Sequence, residues 1–208
     1  MQILYGTTNG AKLTAMRGVT DCLGVTLMSL QDVPAPLPLI DESGMDPLEN
    51  ARIKAMAYYR AFGVPVFSCD SGLFFDEVPP EQQPGVHVRR VNGRELTDEE
   101  MVAYYAALAQ RHGGRLTARY RNAICFVYDI DHVYSSFDLS LATDAFYMVD
   151  KPFDKVREAG FPLDSLSVDI STGKYYYDQP QCTLGVSGTI MDGFTDFWKT
   201  VLLQLSEM

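Results

Sequence analysis

The segment 66–76, Val-Phe-Ser-Cys-Asp-Ser-Gly-Leu-Phe-Phe-Asp, limits the possible folds of this chain more than any other. Its apolar, β-branched and aromatic residues are typical of buried strands, whereas Asp70-Ser71-Gly72 is typical of a turn. The pattern predicts a hairpin: a strand, a tight turn at Gly72 and a second strand, with Asp70 at the mouth of a sheet. A carboxylate in that position can hold a metal ion or activate a water. The alternative is an Asx-turn that only closes the loop.

The composition is that of a globular protein. The chain has 208 residues, of which 47% are hydrophobic, so residues 1–208 can form one domain with a substantial core. The formal net charge of −10 argues against broad binding of nucleic acid or anionic membranes, because both require a basic surface. An anionic ligand would have to be met by a local basic pocket.

The sequence also contains no pattern for export or for a metal knuckle. No apolar run approaches the roughly 18 residues of a membrane span, and the N-terminus enters a strand directly, so we expect a cytoplasmic protein. The four cysteines, Cys22, Cys69, Cys125 and Cys182, are far apart and form no C-x-x-C pair. Cys69 and Cys125 lie inside apolar runs, and we expect them to be buried thiols.

Helical and extended patterns alternate early in the chain, and extended patterns dominate later. Helices are predicted over 11–23, 48–62 and 97–111 and around 197–205, and strands over 1–5, 25–30, 64–69, 117–129, 133–138 and 140–149. The segment 32–47 is predicted to be an acidic, proline-rich loop, and 175–177, Tyr-Tyr-Tyr, a strand with mixed faces rather than a base-stacking surface. This order predicts an α/β fold with a long mixed sheet flanked by helices.

Three short motifs occur in the first part of the chain. The first is the loop Thr7-Thr8-Asn9-Gly10-Ala11-Lys12 after the first strand, the second is the helix start Glu49-Asn50-Ala51-Arg52-Ile53-Lys54, and the third is Asp70-Ser71-Gly72-Leu73. Together, and in this order, they resemble the inosine triphosphate pyrophosphatase family, which hydrolyses non-canonical purine nucleoside triphosphates to monophosphate and pyrophosphate. The segment Pro84-Gly85-Val86 to Arg90 also resembles a loop of that family.

The resemblance implies a site for a nucleoside triphosphate and Mg²⁺ in a cleft between two lobes, in a protein that forms homodimers. It implies that Glu49 and Asp70 hold the metal and that Asp70 is also the general base. The residues implied to bind substrate are Thr7, Thr8, Asn9, Lys12, Lys54, Ser71, Arg89, Phe161 and Asp164. Lys54 lies about 140° from Glu49 around their helix, and we expect it to reach the same cleft.

The last fifth of the chain departs from the family pattern. The segment Gly160-Phe161-Pro162-Leu163-Asp164 keeps the glycine, the phenylalanine and the aspartate of a family loop but lacks its tyrosine. The Ser-His-Arg that the family uses against the purine base has no counterpart, and Leu184 lies near the place of the lysine that precedes it. The preferred base is therefore left open.

Other interpretations of the same residues stay open. Glu49 can be an acid that only opposes the dipole of its helix, which contributes roughly 0.3–1 kcal/mol. Lys12 can be a solvated charge on a capped loop, although a helix start of this kind is also an anion site. For the whole protein, the alternatives are a nucleotide sensor without turnover and a pyrophosphatase with altered base specificity.

Overall fold

The computed structural model describes residues 1–34, 36–154, 161–178 and 188–208. The predicted features at Gly160, Cys182 and Leu184 lie outside these residues. The chain forms two compact units. Unit 1 comprises Met1–Ser71, Arg121–Ala142 and Gly188–Met208, and unit 2 comprises Gly72–Tyr120 and Thr143–Ser187.

Four α-helices and nine strands are described. The helices are α1 (Gly10–Thr20), α2 (Pro47–Phe62), α3 (Asp98–Arg111) and α4 (Gly188–Ser206). The strands are β1 (Gln2–Tyr5), β2 (Thr26–Met28), β3 (Val66–Phe75), β4 (Arg90–Val91), β5 (Arg94–Glu95), β6 (Arg115–Val127), β7 (Val133–Ser136), β8 (Phe146–Val149) and β9 (Ser167–Asp169). No helix in the described ranges is both long and apolar enough to cross a lipid bilayer.

A seven-stranded mixed sheet confirms the predicted fold class. Its order is β2-β1-β3-β6-β8-β9, and β7 pairs with β6 beside that path. Strand β1 is parallel to β2 and β3, whereas β6 is antiparallel to β7 and β8, and β8 to β9. The parallel part follows from the helical crossovers early in the chain, because parallel strands cannot be joined by a tight turn.

In unit 1, helices cover both faces of the sheet. On one face, α1 and α4 pack on Phe67 and Phe126, and the fully buried Trp198 of α4 contacts both rings edge-on. On the other face, α2 packs Ala51 and Ala55 against the sheet. The helix start is well defined, because Asp46 accepts a hydrogen bond from the Glu49 amide, as expected of an N-cap. Helices thus pack on both faces of the sheet around β1 and the first part of β3.

In unit 2, α3 packs on β8 and on the unit 2 portions of β3 and β6. Its start confirms the predicted capping box: Glu100 N donates to Thr97 Oγ1, and Thr97 N donates to the Glu100 carboxylate. Tyr105 is fully buried on the face that contacts the sheet, and its hydroxyl donates to Val88 O at 2.9 Å. This helix was predictable because its start signal is local.

The predicted hairpin at Asp70-Ser71-Gly72 is wrong. These residues lie inside β3, which continues as one strand from Val66 to Phe75. Gly72 has no positive φ, so it makes no turn. Instead it allows a close approach: a Cβ there would lie 2.9 Å from the Gly85 carbonyl carbon, and Leu73 and Gly85 exchange backbone hydrogen bonds. A glycine inside a strand commonly marks such an approach.

Two further strand predictions are also corrected. Over 140–149 only β8 is a strand, and Leu139–Leu141 is a 3-10 helix. The tyrosines at 175–177 do not form a mixed-face strand, since only Tyr175 makes an isolated bridge, to Val168, and Tyr176–Asp178 is a 3-10 helix. Ring packing explains the difference, because Tyr175 and Tyr177 lie on Phe153 while Tyr176 lies on Phe146.

Candidate functional site

A cavity of about 380 Å³ lies at the carboxyl end of β1 in unit 1. One wall is the loop after β1, and another is the segment 37–42 of the acidic loop. Five of the predicted substrate residues line it: Thr7, Thr8, Asn9, Lys12 and Lys54. The loop after β1 and Lys54 on α2 are at least 42 positions apart in the chain, and they line the same cavity.

The loop after β1 forms the start of α1. Thr7 Oγ1 accepts a hydrogen bond from Asn9 N, and Asn9 Oδ1 accepts one from Lys12 N, both at 3.2 Å. Asn9 therefore acts as an N-cap whose helix begins at the cavity wall. Gly6 is required just before this loop, because a Cβ there would collide with Ser68 Oγ and would lie 2.6 Å from the Tyr58 ring.

A cluster of charged side chains lies beside the cavity. The Lys54 ammonium donates to Asp70 Oδ1 and to Glu42 Oε2, each at 2.9 Å. The other oxygen of Asp70 accepts a hydrogen bond from Asn50 Nδ2 at 3.1 Å. Asn50 and Lys54 are one helical turn apart, so α2 presents both donors to the same carboxylate. Lys54 and Asp70, two of the residues predicted for the site, are thus in contact, and the role of each stays a prediction.

The surroundings keep the Lys54 side chain charged. Its burial alone would lower the pKa, but the hydrogen bonds and charges of Asp70 and Glu42 outweigh burial and raise the pKa above the ordinary lysine value. Cys69 also lines the cavity, and for this residue burial prevails: it raises the pKa of the thiol to about 12, so the thiol stays neutral. The cavity therefore presents a permanent cation and a neutral thiol at neutral pH, which argues against a thiolate nucleophile.

Glu42 is a site residue that the sequence interpretation missed. It lies in the segment 32–47, for which the sequence predicts only an acidic loop. Its position is set by Gly44, whose amide donates to Asn50 Oδ1 at 2.8 Å and whose missing side chain lets the loop lie on α2. The sequence signal available was an acid shortly before an N-cap, which is too common to identify a site.

Glu49 makes local contacts. Its carboxylate accepts a hydrogen bond from Met45 N at 2.8 Å, and its own amide donates to Asp46. This arrangement ties the start of α2 to the preceding loop. The metal role of Glu49 stays a prediction, while the carboxylate that shares Lys54 with Asp70 is that of Glu42.

Ser71 has a different environment from Asp70. Neighbouring residues of a strand point to opposite faces. Asp70 contacts α2, whereas Ser71 Oγ donates to Asn122 Oδ1 of β6 at 2.6 Å. The substrate role of Ser71 stays a prediction.

Three other predicted substrate residues belong to unit 2. Arg89 donates to Leu96 O at 3.0 Å and forms an ion pair of 2.7 Å with Asp98. Phe161 is 53% exposed and precedes the 3-10 helix Pro162–Leu166, which contains the half-buried Asp164. Their roles also stay predictions.

The described residues contain no group of three or more histidine, cysteine or acidic side chains that could enclose a metal ion. The pair formed by Glu42 and Asp70 can supply two carboxylates, and the Lys54 ammonium already lies between them as a cation. Hard oxygen donors of this number suit Mg²⁺, which usually takes one or two carboxylates and completes its shell with waters and substrate phosphates. The donor set therefore fits a Mg²⁺ ion.

The fold and the site together define a class: an α/β protein with a small polar cavity at the carboxyl end of a parallel strand, where such proteins bind their ligands. A family model described as the Ham1 family matches residues 3–139, more than half of the chain. The chain belongs to the Ham1 family, and the resemblance predicted from the three motifs is confirmed.

Relatives with curated names match part of the chain. A protein of an Exiguobacterium species named dITP/XTP pyrophosphatase is 35% identical over 127 residues, which are 60% of this chain and 62% of the relative. A Geobacter sulfurreducens protein of the same name is 35% identical over 98 residues, 47% of this chain and 48% of the relative. The chain thus spans about half the length of the curated relatives it matches.

Solved structures agree with the whole fold. A HAM1 protein from Coxiella burnetii has a TM-score of 0.73 and 21% identity over 98% of this chain and 99% of its own. The Staphylococcus aureus Ham1 protein has a TM-score of 0.70 and 17% identity over the full length of both chains. At this identity the likeness concerns the fold alone.

Proposed function

We propose that this protein is a Mg²⁺-dependent nucleoside triphosphate pyrophosphatase that hydrolyses non-canonical purine nucleotides, such as inosine and xanthosine triphosphates, to monophosphate and pyrophosphate. The observation that carries the proposal is the Lys54 ammonium, held 2.9 Å from both Asp70 and Glu42 beside a cavity lined by the loop after β1. The names of the partly matching relatives support the substrate class.

The loop after β1 and two lysines would bind the phosphates. Thr7 and Thr8 supply hydroxyl groups, and the capped start of α1 supplies a positive dipole end. Lys12 and Lys54 add two cations in the same cavity. These groups hold a phosphate chain in place, which is most of what a protein does in phosphoryl transfer.

The charge of the cluster calls for a further cation. Asp70 and Glu42 carry two formal negative charges and Lys54 one positive charge, so the cluster alone repels a phosphate. Glu42 and Asp70 would hold Mg²⁺. Glu49, the ligand that the sequence predicts, is the alternative to Glu42. When bound, the ion neutralises phosphate charge and makes a bound water more acidic.

Asp70 would take the proton of the attacking water. Its oxygens accept hydrogen bonds from Lys54 and Asn50, which fix the orientation of the carboxylate. Each carboxylate oxygen has a second lone pair, so the group can still accept a proton. Lys54 stays protonated because its pKa is raised, and its charge offsets the charge that develops on the phosphates.

The remaining elements of the proposal are the location, the assembly and the further substrate contacts. The protein would act in the cytoplasm as a homodimer, with a nucleoside triphosphate as its ligand. The net charge of −10 is consistent with the absence of nucleic-acid and membrane partners. Ser71, Arg89, Phe161 and Asp164 would complete the substrate contacts.

The proposal is tested by measuring pyrophosphate release from inosine, xanthosine and deoxyuridine triphosphates and from the four ordinary nucleotides, with and without Mg²⁺. We expect metal-dependent release that Asp70→Asn lowers by about a hundredfold to ten-thousandfold, as loss of a general base does. Asp76→Asn is the matched control, because Asp76 follows the same strand but pairs with Arg119.

Two outcomes contradict the proposal. Equal turnover by the parent and by Asp70→Asn excludes Asp70 as the base. Tight nucleotide binding without any pyrophosphate release by the parent instead favours a nucleotide sensor, the alternative that the missing Ser-His-Arg motif raises.

A further inference from the structure

A hydrogen-bonded chain of three groups leads away from Ser71. Its hydroxyl lies 2.6 Å from Asn122 Oδ1, and Asn122 Nδ2 lies 2.6 Å from Leu141 O. All three residues belong to unit 1, and the side chains of Ser71 and Asn122 are partly buried. These two hydrogen bonds thus join β3 and β6 to the 3-10 helix Leu139–Leu141.

The backbone carbonyl at the far end fixes the orientation of the amide. A carbonyl oxygen can only accept a hydrogen bond, so the Asn122 atom that faces Leu141 must be the nitrogen. The amide oxygen of Asn122 then faces Ser71, and it can only accept as well. The hydrogen of the Ser71 hydroxyl must therefore point to Asn122.

We propose that Asn122 is a positioning residue that makes Ser71 an acceptor in the substrate site. With its hydrogen committed to Asn122, Ser71 Oγ offers only lone pairs to other groups. It can accept from a water, from a ligand hydroxyl or from an N–H group, and it cannot donate to a phosphate oxygen. This inference rests on the proposed function and deepens it. It assigns Ser71 to those groups of the bound nucleotide or its waters that donate hydrogen bonds, and it leaves the phosphates to Lys12 and Lys54.

The first experiment tests the hydrogen bond without any substrate. Urea unfolding midpoints are measured for Ser71→Ala, Asn122→Ala and the double variant. We expect the double variant to lose less than the sum of the two single losses, because the second substitution removes a bond that is already broken. Additive losses would overturn the inference while leaving the proposed function untouched.

The second experiment tests whether Asn122 acts through Ser71 on substrate. We expect Asn122→Ala and Ser71→Ala each to raise KM about threefold to tenfold, with a much smaller change in kcat, as loss of one hydrogen bond does. The double variant should match Ser71→Ala alone. If the two KM increases multiply in the double variant, or if only kcat changes, Asn122 is merely structural.

Two more variants separate the acceptor from the donor of the amide. Asn122→Asp keeps an oxygen toward Ser71 but places another opposite Leu141 O, so we expect a lower unfolding midpoint with an almost unchanged KM. Ser136→Ala removes a serine hydroxyl of β7 that donates to Asp138. It is the control for loss of a serine hydrogen bond elsewhere in unit 1 and should keep the parent KM. A KM increase in Asn122→Asp as large as in Asn122→Ala would overturn the inference.

A parent that releases no pyrophosphate would overturn the proposed function and the substrate half of this inference, whereas the urea experiment would still decide the hydrogen bond.

Discussion

The Lys54–Asp70 pair of unit 1 and the Arg89–Asp98 pair of unit 2 have similar lengths, 2.9 and 2.7 Å, but different surroundings. The side chains of the first pair are 12% and 15% exposed, and those of the second are 36% and 35% exposed. The first pair also includes a second carboxylate, Glu42, whereas the second lies at the start of α3.

Under the proposed function, this difference distinguishes an ion pair that takes part in the chemistry from an ion pair that stabilises the start of α3. Removing ions from water costs several kcal/mol each, and a buried pair often stabilises a protein no better than apolar residues would. An exposed pair costs little and contributes about 0–1 kcal/mol. Lys54 and Asp70 are largely shielded from water, whereas Glu42, the acid that makes the cluster net negative, is 49% exposed. Stability explains the shielded pair poorly, which is the reason to look for a ligand there.

Removal of the shared cation is expected to have the largest effect. Lys54→Met keeps most of the aliphatic stem but leaves Asp70 and Glu42 without their common partner. We expect kcat for pyrophosphate release to fall about a hundredfold to a thousandfold, the usual cost of removing a group that stabilises developing charge. Lys199→Met, on the exposed side of α4, is the control. Turnover near the parent value would make the cluster structural and erase the contrast between the two pairs.

The two glutamates can be separated next. We expect Glu42→Gln to raise the Mg²⁺ concentration for half-maximal activity about tenfold or more, because a neutral amide is a weaker ligand than a carboxylate. Glu49→Gln should change it much less, since its carboxylate accepts from Met45 N. The reverse order in a Mg²⁺ titration would restore Glu49 as the metal ligand and remove Glu42 from the site.

Alkaline pH tests whether the charge of Lys54 stabilises the folded protein. The pKa of Lys54 is raised in the folded protein, so protonated Lys54 favours the folded state. This stabilisation is fully present below the ordinary lysine pKa of about 10.4 and is lost as pH rises through the higher folded pKa. Above about pH 10.4 we expect the unfolding free energy of the parent to fall relative to that of Lys54→Met. Urea unfolding from about pH 8 to about pH 11 measures it, and a difference independent of pH would contradict the raised pKa.

Loss of the exposed pair is expected to have the smallest effect. Asp98→Asn should lower the free energy of unfolding by about 0.5–1 kcal/mol, through the ion pair and the helix dipole, with KM unchanged. Chemical denaturation and steady-state kinetics measure both. A clear rise in KM would mean that this pair orients Arg89 toward the nucleotide, as the family resemblance predicts for Arg89.

The parts of the fold that were predictable have local causes. The capping box of Thr97 and Glu100 and the left-handed Gly63 after α2 are signals within a few residues of the helix end they define. The alternation of helices and strands likewise predicted the mixed sheet. The family motifs named both Lys54 and Asp70, which are in contact in the structure, and gave no information on the partner of Glu49.

The parts that were not predictable depend on contacts between distant residues. Asp70-Ser71-Gly72 has turn chemistry, but Gly72 is needed for contact with Gly85, which no pattern around Gly72 reveals. Glu42 reaches Lys54 only because the acidic loop is held on α2 through Gly44. A single sequence does not encode such pairings in its local periodicity, so the contact between Glu42 and Lys54 could not be predicted from it.

Gly6 has a practical consequence for altering this protein. Ser68 and Tyr58 occupy the space that any side chain at position 6 would need, so only main chain lines the cavity at this position. Redesign of ligand preference cannot begin there without disturbing two other elements. Leu39 also lines the cavity and is fully exposed, so substitutions at position 39 meet no such obstacle.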